Sequence, residues 1–118
     1  MTKYYRTLLL YIFRNLNNNR INVDITQQFI DERLKQVNKI DLQYYNNDKR
    51  LPLYAWTYEC SFHTLRYDDV EKLAHKYLNK YLDKEAPMGE VFNCSVQKGV
   101  EAIKDAMKDL GVEEINKD

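Results

Sequence analysis

The chain has 118 residues, a length typical of one domain with a single hydrophobic core. Its 18 Lys and Arg residues balance 18 Asp and Glu residues, so the formal net charge is zero. This balance argues against a general nucleic-acid binder, which needs a basic excess, and excludes a strongly acidic mimic of nucleic acid. The two cysteines are too few for a disulfide framework, and no apolar run has the length of a membrane span or the form of a secretory signal.

The first part of the chain has the pattern of two helices. Apolar side chains recur with helical spacing over residues 3–16, which predicts a first helix with a wide apolar stripe. A run of asparagines then predicts a connector. The second helix is predicted to begin at Asp24, with Gln27 completing a capping box, and to run to about Asn38. The polar stretch 41–50 predicts a loop or a frayed helix.

Residues 53–66 fit two patterns. Large and small or polar side chains alternate through this stretch, which is typical of a strand. A longer pattern, with spacings of three and four residues from Leu53 to Tyr81, is typical of a helix. The greater length of the second pattern favours helix, with a break near 66–68 where Asp68 would cap a new helix.

The C-terminal part contains a helix breaker and a last helix. The sequence Ala86-Pro87-Met88-Gly89 interrupts regular structure. After Ser95, apolar residues spaced four and three apart predict a helix that ends at Leu110. Gly111 is suited to the left-handed conformation that commonly ends a helix.

Few residues carry a recognisable chemistry. His63 and His75, taken with the two cysteines, have no metal-ligand spacing, so no metal site is expected. On a helix, Cys60 and His63 would share one face as a nucleophile and base, which defines a small-enzyme alternative. No oxyanion-stabilising or orienting group accompanies them, so no catalytic residue is assigned.

The aromatic residues support two further hypotheses. Ten tyrosines exceed what a core of this size needs, and exposed aromatic and Arg side chains are typical anchors of protein interfaces. An interaction protein is therefore the favoured class. The alternative is a small RNA-binding α/β regulatory module, in which Tyr54, Trp56 and Tyr58 on an open sheet would stack on single-stranded RNA.

Two motifs in the first half of the chain point to a known family. Tyr4-Tyr5-Arg6, with Arg14 further along the same predicted helix, is similar to a Leu-Tyr-Arg signature, and Phe29 resembles the Phe of a following helix. Ala55-Trp56-Thr57-Tyr58-Glu59-Cys60, followed by Thr64-Leu65-Arg66, resembles a second motif. These motifs resemble the mitochondrial LYR superfamily, and in particular its branch called formation of mitochondrial complex V assembly factor.

This resemblance implies an all-α fold, with an LYR-like three-helix bundle over residues 1–85. The connector and the additional C-terminal helix over residues 86–118 rest on the residue pattern alone, because that part has no counterpart in the resemblance. It implies a non-enzymatic protein of the mitochondrial matrix that aids ATP synthase F1 assembly together with the alpha-subunit chaperone. An accessory subunit of a respiratory complex or mitochondrial ribosome is the alternative within the same family.

The resemblance also implies a set of contacts. The implied partner-binding residues are Tyr5, Arg6, Arg14, Phe29, Trp56, Tyr58 and Arg66. Members of the superfamily often bind acylated acyl carrier protein, whose acidic surface would meet basic residues here, with Arg33 and Lys35 as supporting charges. No cofactor of the chain's own is expected, and contact with the acyl-phosphopantetheine group of a bound carrier is left open. Neither nucleic acid nor a membrane span is expected.

Overall fold

The computed structural model describes residues 9–27, 29–44, 56–86 and 89–115, and only the backbone of 41–44. Within these residues lie a four-stranded antiparallel sheet and three α-helices. The elements in chain order are β1 (Leu9–Asn15), β2 (Ile21–Thr26), α1 (Ile30–Tyr44), β3 (Trp56–Phe62), α2 (Tyr67–Leu78), a 3-10 turn (Asn79–Tyr81), β4 (Val91–Phe92) and α3 (Val96–Leu110). The strand order across the sheet is β3-β1-β2-β4. The predicted all-α, three-helix bundle is therefore wrong.

Strand β1 lies inside the sheet, where a helix was predicted. Its side chains alternate between two cores: Leu10 and Ile12 pack with α2 and α3, whereas Tyr11 and Phe13 pack with α1. Because both faces are covered, the strand is apolar at successive positions and lacks the alternation of a half-exposed strand. Such an unbroken apolar run also satisfies helical spacing, which is why the helix prediction failed.

The next segment also departs from its prediction. Asp24 lies in β2, paired along β1, and α1 begins only at Ile30, so the predicted capping box is wrong. Helix α1 extends to Tyr44, beyond its predicted end at Asn38. The buried Asn38 joins α1 to β3, because its Oδ1 accepts from the backbone N of Trp56 (2.8 Å) and its Nδ2 donates to the backbone O of the same residue (3.3 Å).

Strand β3 occupies the stretch for which helix was favoured, so the strand pattern was the correct one. The register with β1 shifts between Ile12 and Phe13, which makes Glu59 the extra residue of a β-bulge. Before the bulge, Trp56 packs in the α1 core; after it, Phe62 packs in the core formed with α2 and α3. The bulge therefore turns Trp56 and Phe62 to opposite faces of the sheet. Of the three residues predicted as an RNA-stacking platform, Trp56 is buried beneath α1, Tyr58 is exposed and Tyr54 lies outside the described residues.

The last helix agrees with its prediction at both ends, whereas the predicted cap of α2 is wrong, because α2 begins at Tyr67 and Asp68 lies within its first turn. The predicted break near 66–68 is present: Arg66 adopts the left-handed conformation (φ 53°) immediately before α2. Helix α3 begins after Ser95, whose side chain accepts from the backbone N of Lys98 (3.1 Å), and it ends at Gly111 with φ 70°. The cap, the apolar spacing and the glycine all act locally, so the sequence predicts this helix correctly.

Helix α3 lies close against the sheet. A Cβ atom added at Gly99 would lie 2.6 Å from Cδ1 of Ile21 and 3.1 Å from Cδ1 of Ile12. The absent side chain thus permits close helix–sheet packing in one shared core. Within the described residues, no helix is long and apolar enough to cross a membrane.

Candidate functional site

The candidate site lies at the edge of the sheet where β2 continues past β4. Strand β4 pairs only with Ile21 and Asn22 of β2. At the next residue, the backbone N of Val23 donates to the backbone O of Glu90 (3.1 Å), and its carbonyl accepts from Nε2 of His75 (2.7 Å). Because a carbonyl only accepts, this contact places the proton of the imidazole on Nε2. The sheet edge is thus completed by side chains and by a loop instead of a longer strand.

Three carboxyl groups meet at this edge. Asp24 follows Val23 on β2, Glu71 lies one turn before His75 on α2, and Glu71 and Glu90 are each hydrogen-bonded to Asp24. Burial, reinforced by Asp24, raises the pKa of Glu71 to about 8 and that of Glu90 to about 7. Carboxyl groups held together in this way share protons near neutral pH.

The backbone at this cluster is strained. Glu90 has φ 62°, the left-handed region that a residue with a long side chain seldom adopts. Such a conformation costs on the order of 1–3 kcal/mol and persists where the surrounding contacts over-determine it. Here the carbonyl of Glu90 is held by both Val23 and the side chain of Asn22. Strain and strongly raised carboxyl pKa values at the same place are typical of functional sites.

An arginine and a buried tyrosine complete the cluster. Nε of Arg33 donates to the hydroxyl of Tyr11 (3.0 Å), and its Nη2 lies 3.5 Å from Oδ2 of Asp24. Tyr11 is fully buried, and burial, with Asp24 adding to it, raises the pKa of its phenol far above neutral pH. The phenol therefore stays protonated and fixes the guanidinium, which retains about a quarter of its side-chain surface in solvent. We refer to Tyr11, Asp24, Arg33, Glu71 and Glu90 as the edge cluster.

The edge cluster fits a hydrated divalent cation better than a fully protein-ligated one. Among the described residues, no group of three or more His, Cys, Asp or Glu side chains is arranged to hold a metal ion. Mg²⁺, however, is usually bound through one or two carboxylates, with waters and substrate phosphates as its remaining ligands. Glu71 and Asp24, with Glu90 beside them, meet that smaller requirement.

Most of the residues predicted as partner-binding lie elsewhere. Tyr5 and Arg6 are outside the described residues. Arg14 donates from Nε to Glu59 of the β-bulge (2.5 Å) and is about one-third exposed. Phe29 immediately precedes α1 and is 66% exposed.

The other three predicted partner-binding residues are also dispersed. Trp56 is only 4% exposed and packs in the core beneath α1. Tyr58 is exposed, with its hydroxyl 3.1 Å from Oγ of Ser61. Arg66 precedes α2 and donates to Asp69 (3.0 Å). The structure therefore distributes the described members of this set over several elements.

The small-enzyme alternative loses its geometry. Cys60 lies within β3 and His63 follows the strand, so the two residues do not share the helix face on which the pairing was predicted. Burial also raises the pKa of the Cys60 thiol, which lowers the thiolate fraction at neutral pH.

Sequence reasoning missed the edge cluster because its members come from five separate segments. Asp24 was interpreted as a helix cap and Arg33 as a charge for acyl carrier protein. One local signal was present: Glu71 and His75 are four residues apart on α2, so they share a helix face. That spacing by itself does not show which carboxyl groups lie opposite them.

Comparison with known protein families gives a match for most of the chain. Residues 9–109 match the family model described as T5orf172 domain, which covers most of the chain. Comparison with curated proteins and with solved structures gave no match. The predicted membership of the LYR superfamily is therefore wrong, and with it the role in ATP synthase assembly. The mitochondrial location and the contact with acyl carrier protein were implied only by that resemblance, and none of these findings tests them.

Proposed function

This chain belongs to the T5orf172 domain family, and from that premise we propose that it hydrolyses phosphodiester bonds in nucleic acid. The T5orf172 domain is linked to nuclease-like domains. The single observation that carries the proposal is the edge cluster, in which an arginine fixed by a buried tyrosine lies against mutually hydrogen-bonded carboxyl groups. Such a combination suits a substrate that brings a phosphate anion together with a cation.

The arginine and the tyrosine have distinct roles in this proposal. The guanidinium of Arg33 is the group that would contact a phosphate oxygen, because a planar guanidinium matches the geometry of phosphate. Tyr11 is a positioning residue: it is fully buried and acts through its bond to Nε of Arg33. Asp24 holds the other side of the same guanidinium, so the arginine is oriented before substrate arrives.

The carboxyl groups provide the acidic half of the site. Glu71, with Asp24 or Glu90, would hold a divalent cation such as Mg²⁺. When bound, this cation would neutralise negative charge that develops on the phosphate. Without a cation, the raised pKa values keep part of the cluster protonated, which limits repulsion of an incoming phosphate. His75 anchors α2 to β2 through Val23 and thereby positions Glu71 one turn away.

Cleavage of DNA and RNA by the purified chain tests the proposal. Supercoiled plasmid and fluorescent oligonucleotides are incubated with Mg²⁺, Mn²⁺ or a chelator. We expect cation-dependent cleavage that falls at least about a hundredfold in Glu71→Gln, on the scale of losing one preorganised catalytic group. Arg33→Lys keeps the charge but loses the planar fork, so it should cleave less than the unmodified chain.

A matched control guards against a general effect of charge. Glu101→Gln makes the same chemical change at an exposed position on α3, and it should cleave like the unmodified chain. Circular dichroism of each variant checks folding. Absence of cleavage with every cation, or full activity in a folded Glu71→Gln variant, would overturn the proposal.

A second candidate is a nucleic-acid-binding regulatory module without catalysis. Two observations favour it. Among the described residues, no three side chains form a metal-binding group. In addition, the guanidinium of Arg33 is already paired with Asp24. It would bind through the edge cluster and not through stacking on Trp56, which is buried. Binding that is independent of cation and never leads to cleavage would favour it, and would agree with the prediction of a non-enzymatic protein.

A further inference from the structure

We propose that a cavity beside β4 binds a second phosphate group of the nucleic-acid strand that is held at the edge cluster, an inference that rests on the proposed function. The cavity has a volume of about 370 Å³. Its polar lining comes from the start of β2, the segment after α2 and the residue after β4: Arg20, Lys80, Asp83, Lys84, Glu85 and Asn93. We call it the flanking cavity.

The flanking cavity and the edge cluster are connected by one face of β2. Arg20 immediately precedes β2, and Asn22 and Asp24 follow at intervals of two residues, so the three side chains project to the same face. Four residues of extended chain separate Arg20 from Asp24 by about 13 Å. A nucleic-acid strand carries one phosphate per about 3.4 Å of helix axis, so a few nucleotides bridge the two positions.

The arginine of the flanking cavity is oriented by a carboxylate. Nε of Arg20 donates to Oδ2 of Asp83 (2.7 Å), and Oδ1 of Asp83 accepts from the backbone N of Glu85 (3.0 Å). The backbone N of Asp83 in turn donates to Val91 of β4, which fixes this loop to the sheet (2.8 Å). Among the described residues, the Nη groups of Arg20 contact no acceptor, and the side chain is 30% exposed. This is the form in which a guanidinium binds phosphate through two donors.

The charges of the cavity favour an anion. Lys80 and Lys84 are exposed and lie four residues apart on its rim. Asp83 is neutralised by its ion pair with Arg20, so the two lysines face only Glu85 as an uncompensated carboxylate. The edge cluster carries the opposite excess, with three carboxyl groups and one arginine. The two ends of this face thus suit different parts of one ligand: a cation-bridged phosphate at the edge cluster and a plain phosphate in the flanking cavity.

Binding of fluorescent oligothymidylates of increasing length tests the inference by fluorescence anisotropy. The measurement is made with Ca²⁺, at several salt concentrations, and with a thymidine dinucleotide as the shortest probe. We expect the unmodified chain to bind the long oligonucleotide more tightly than the dinucleotide. Lys80→Glu/Lys84→Glu should weaken binding of the long probe by about tenfold or more. The slope of log affinity against log salt concentration should become less steep by roughly 0.7 for each lost phosphate contact.

Matched variants keep this test specific. Lys104→Glu/Lys108→Glu makes the same change in charge at exposed positions on α3 and should bind like the unmodified chain. The milder Lys80→Gln/Lys84→Gln should weaken binding less than the glutamate pair. If Lys80→Glu/Lys84→Glu and Lys104→Glu/Lys108→Glu weaken binding equally, the effect comes from net charge. The flanking cavity is then not a phosphate-binding site.

The outcomes separate this inference from the proposed function. Unchanged long-probe binding in Lys80→Glu/Lys84→Glu, together with cation-dependent cleavage by the unmodified chain, overturns only the flanking cavity. Lysine-dependent binding without any cleavage supports the flanking cavity and overturns the hydrolytic function. Absence of both binding and cleavage overturns both.

Discussion

Replacing Glu71 by Gln should stabilise the folded protein at alkaline pH and change little in mild acid. In the folded state the pKa of this carboxyl is raised from 4.5 to about 8, with burial as the main cause and Asp24 as the second. Protonated Glu71 therefore contributes stability below its unfolded pKa, and that contribution is lost as the pH rises through about 8. Gln resembles the protonated acid and keeps a donor toward Asp24 at every pH.

The expected size follows from the two pKa values and from exposure. The full difference corresponds to roughly 4–5 kcal/mol, at about 1.4 kcal/mol for each tenfold change in proton affinity. Glu71 is only half-buried, so solvent screens its charge, and we expect about 1–2 kcal/mol. With a urea dependence of about 1–3 kcal/mol per molar for a small domain, the unfolding midpoint should move by roughly 0.3–2 M.

Urea unfolding followed by the fluorescence of the single tryptophan, Trp56, measures this effect. The urea midpoints of the unmodified chain and of Glu71→Gln are compared at about pH 5 and about pH 9, with a metal chelator in the buffer. These two pH values bracket most of the titration of Glu71. Glu101→Gln serves as the exposed control and should show no pH-dependent difference from the unmodified chain. If the unmodified chain and Glu71→Gln lose equal stability between the two pH values, Glu71 does not hold a proton in the folded protein and the reasoning fails.

Three further predictions concern stability and reactivity. Asn38→Leu leaves the backbone N–H and C=O of Trp56 unpaired in the core, so it should lower the free energy of unfolding by roughly 2–4 kcal/mol in urea; a loss below about 0.5 kcal/mol would contradict this. Gly111→Ala forces a Cβ into the left-handed region, so it should lower the free energy of unfolding by about 1 kcal/mol in a thermal melt. An unchanged melting temperature, as when the end of α3 rearranges to relieve the strain, would contradict this prediction. Burial raises the pKa of Cys94 to about 11, so an aromatic disulfide reagent should react with this thiol more slowly in the folded chain than in urea; equal rates would exclude burial of the thiol.

The best-predicted element, α3, is the one whose signals are all local. Ser95 caps its first turn, apolar residues repeat at helical spacing, and Gly111 ends it in the left-handed conformation. The break before α2 was also predicted, and Arg66 adopts the left-handed conformation there. Each of these signals acts within one or two helical turns, so the sequence itself carries the information.

Strands β1 and β3 show where local signals fail. The run around Tyr11 and Ile12 is apolar at successive positions because cores lie on both sides of the sheet, and such a run fits helical spacing equally well. In β3 the alternating pattern indicated a strand, but the longer three-and-four spacing was favoured because it continued into α2. Length cannot distinguish one long helix from a strand followed by a helix.

The sequence by itself determined the last helix and the boundary before α2, because these depend on residues within a few positions of one another. Only the tertiary structure decided that the first half is a sheet and that Asp24, Arg33, Glu71 and Glu90 meet at one edge of it. These side chains come from separate segments and are brought together by the short β4, which pairs with only two residues of β2. The pKa of a carboxyl group, and hence its use to the protein, depends on burial and on neighbours distant in sequence, so it emerges only once the chain has folded.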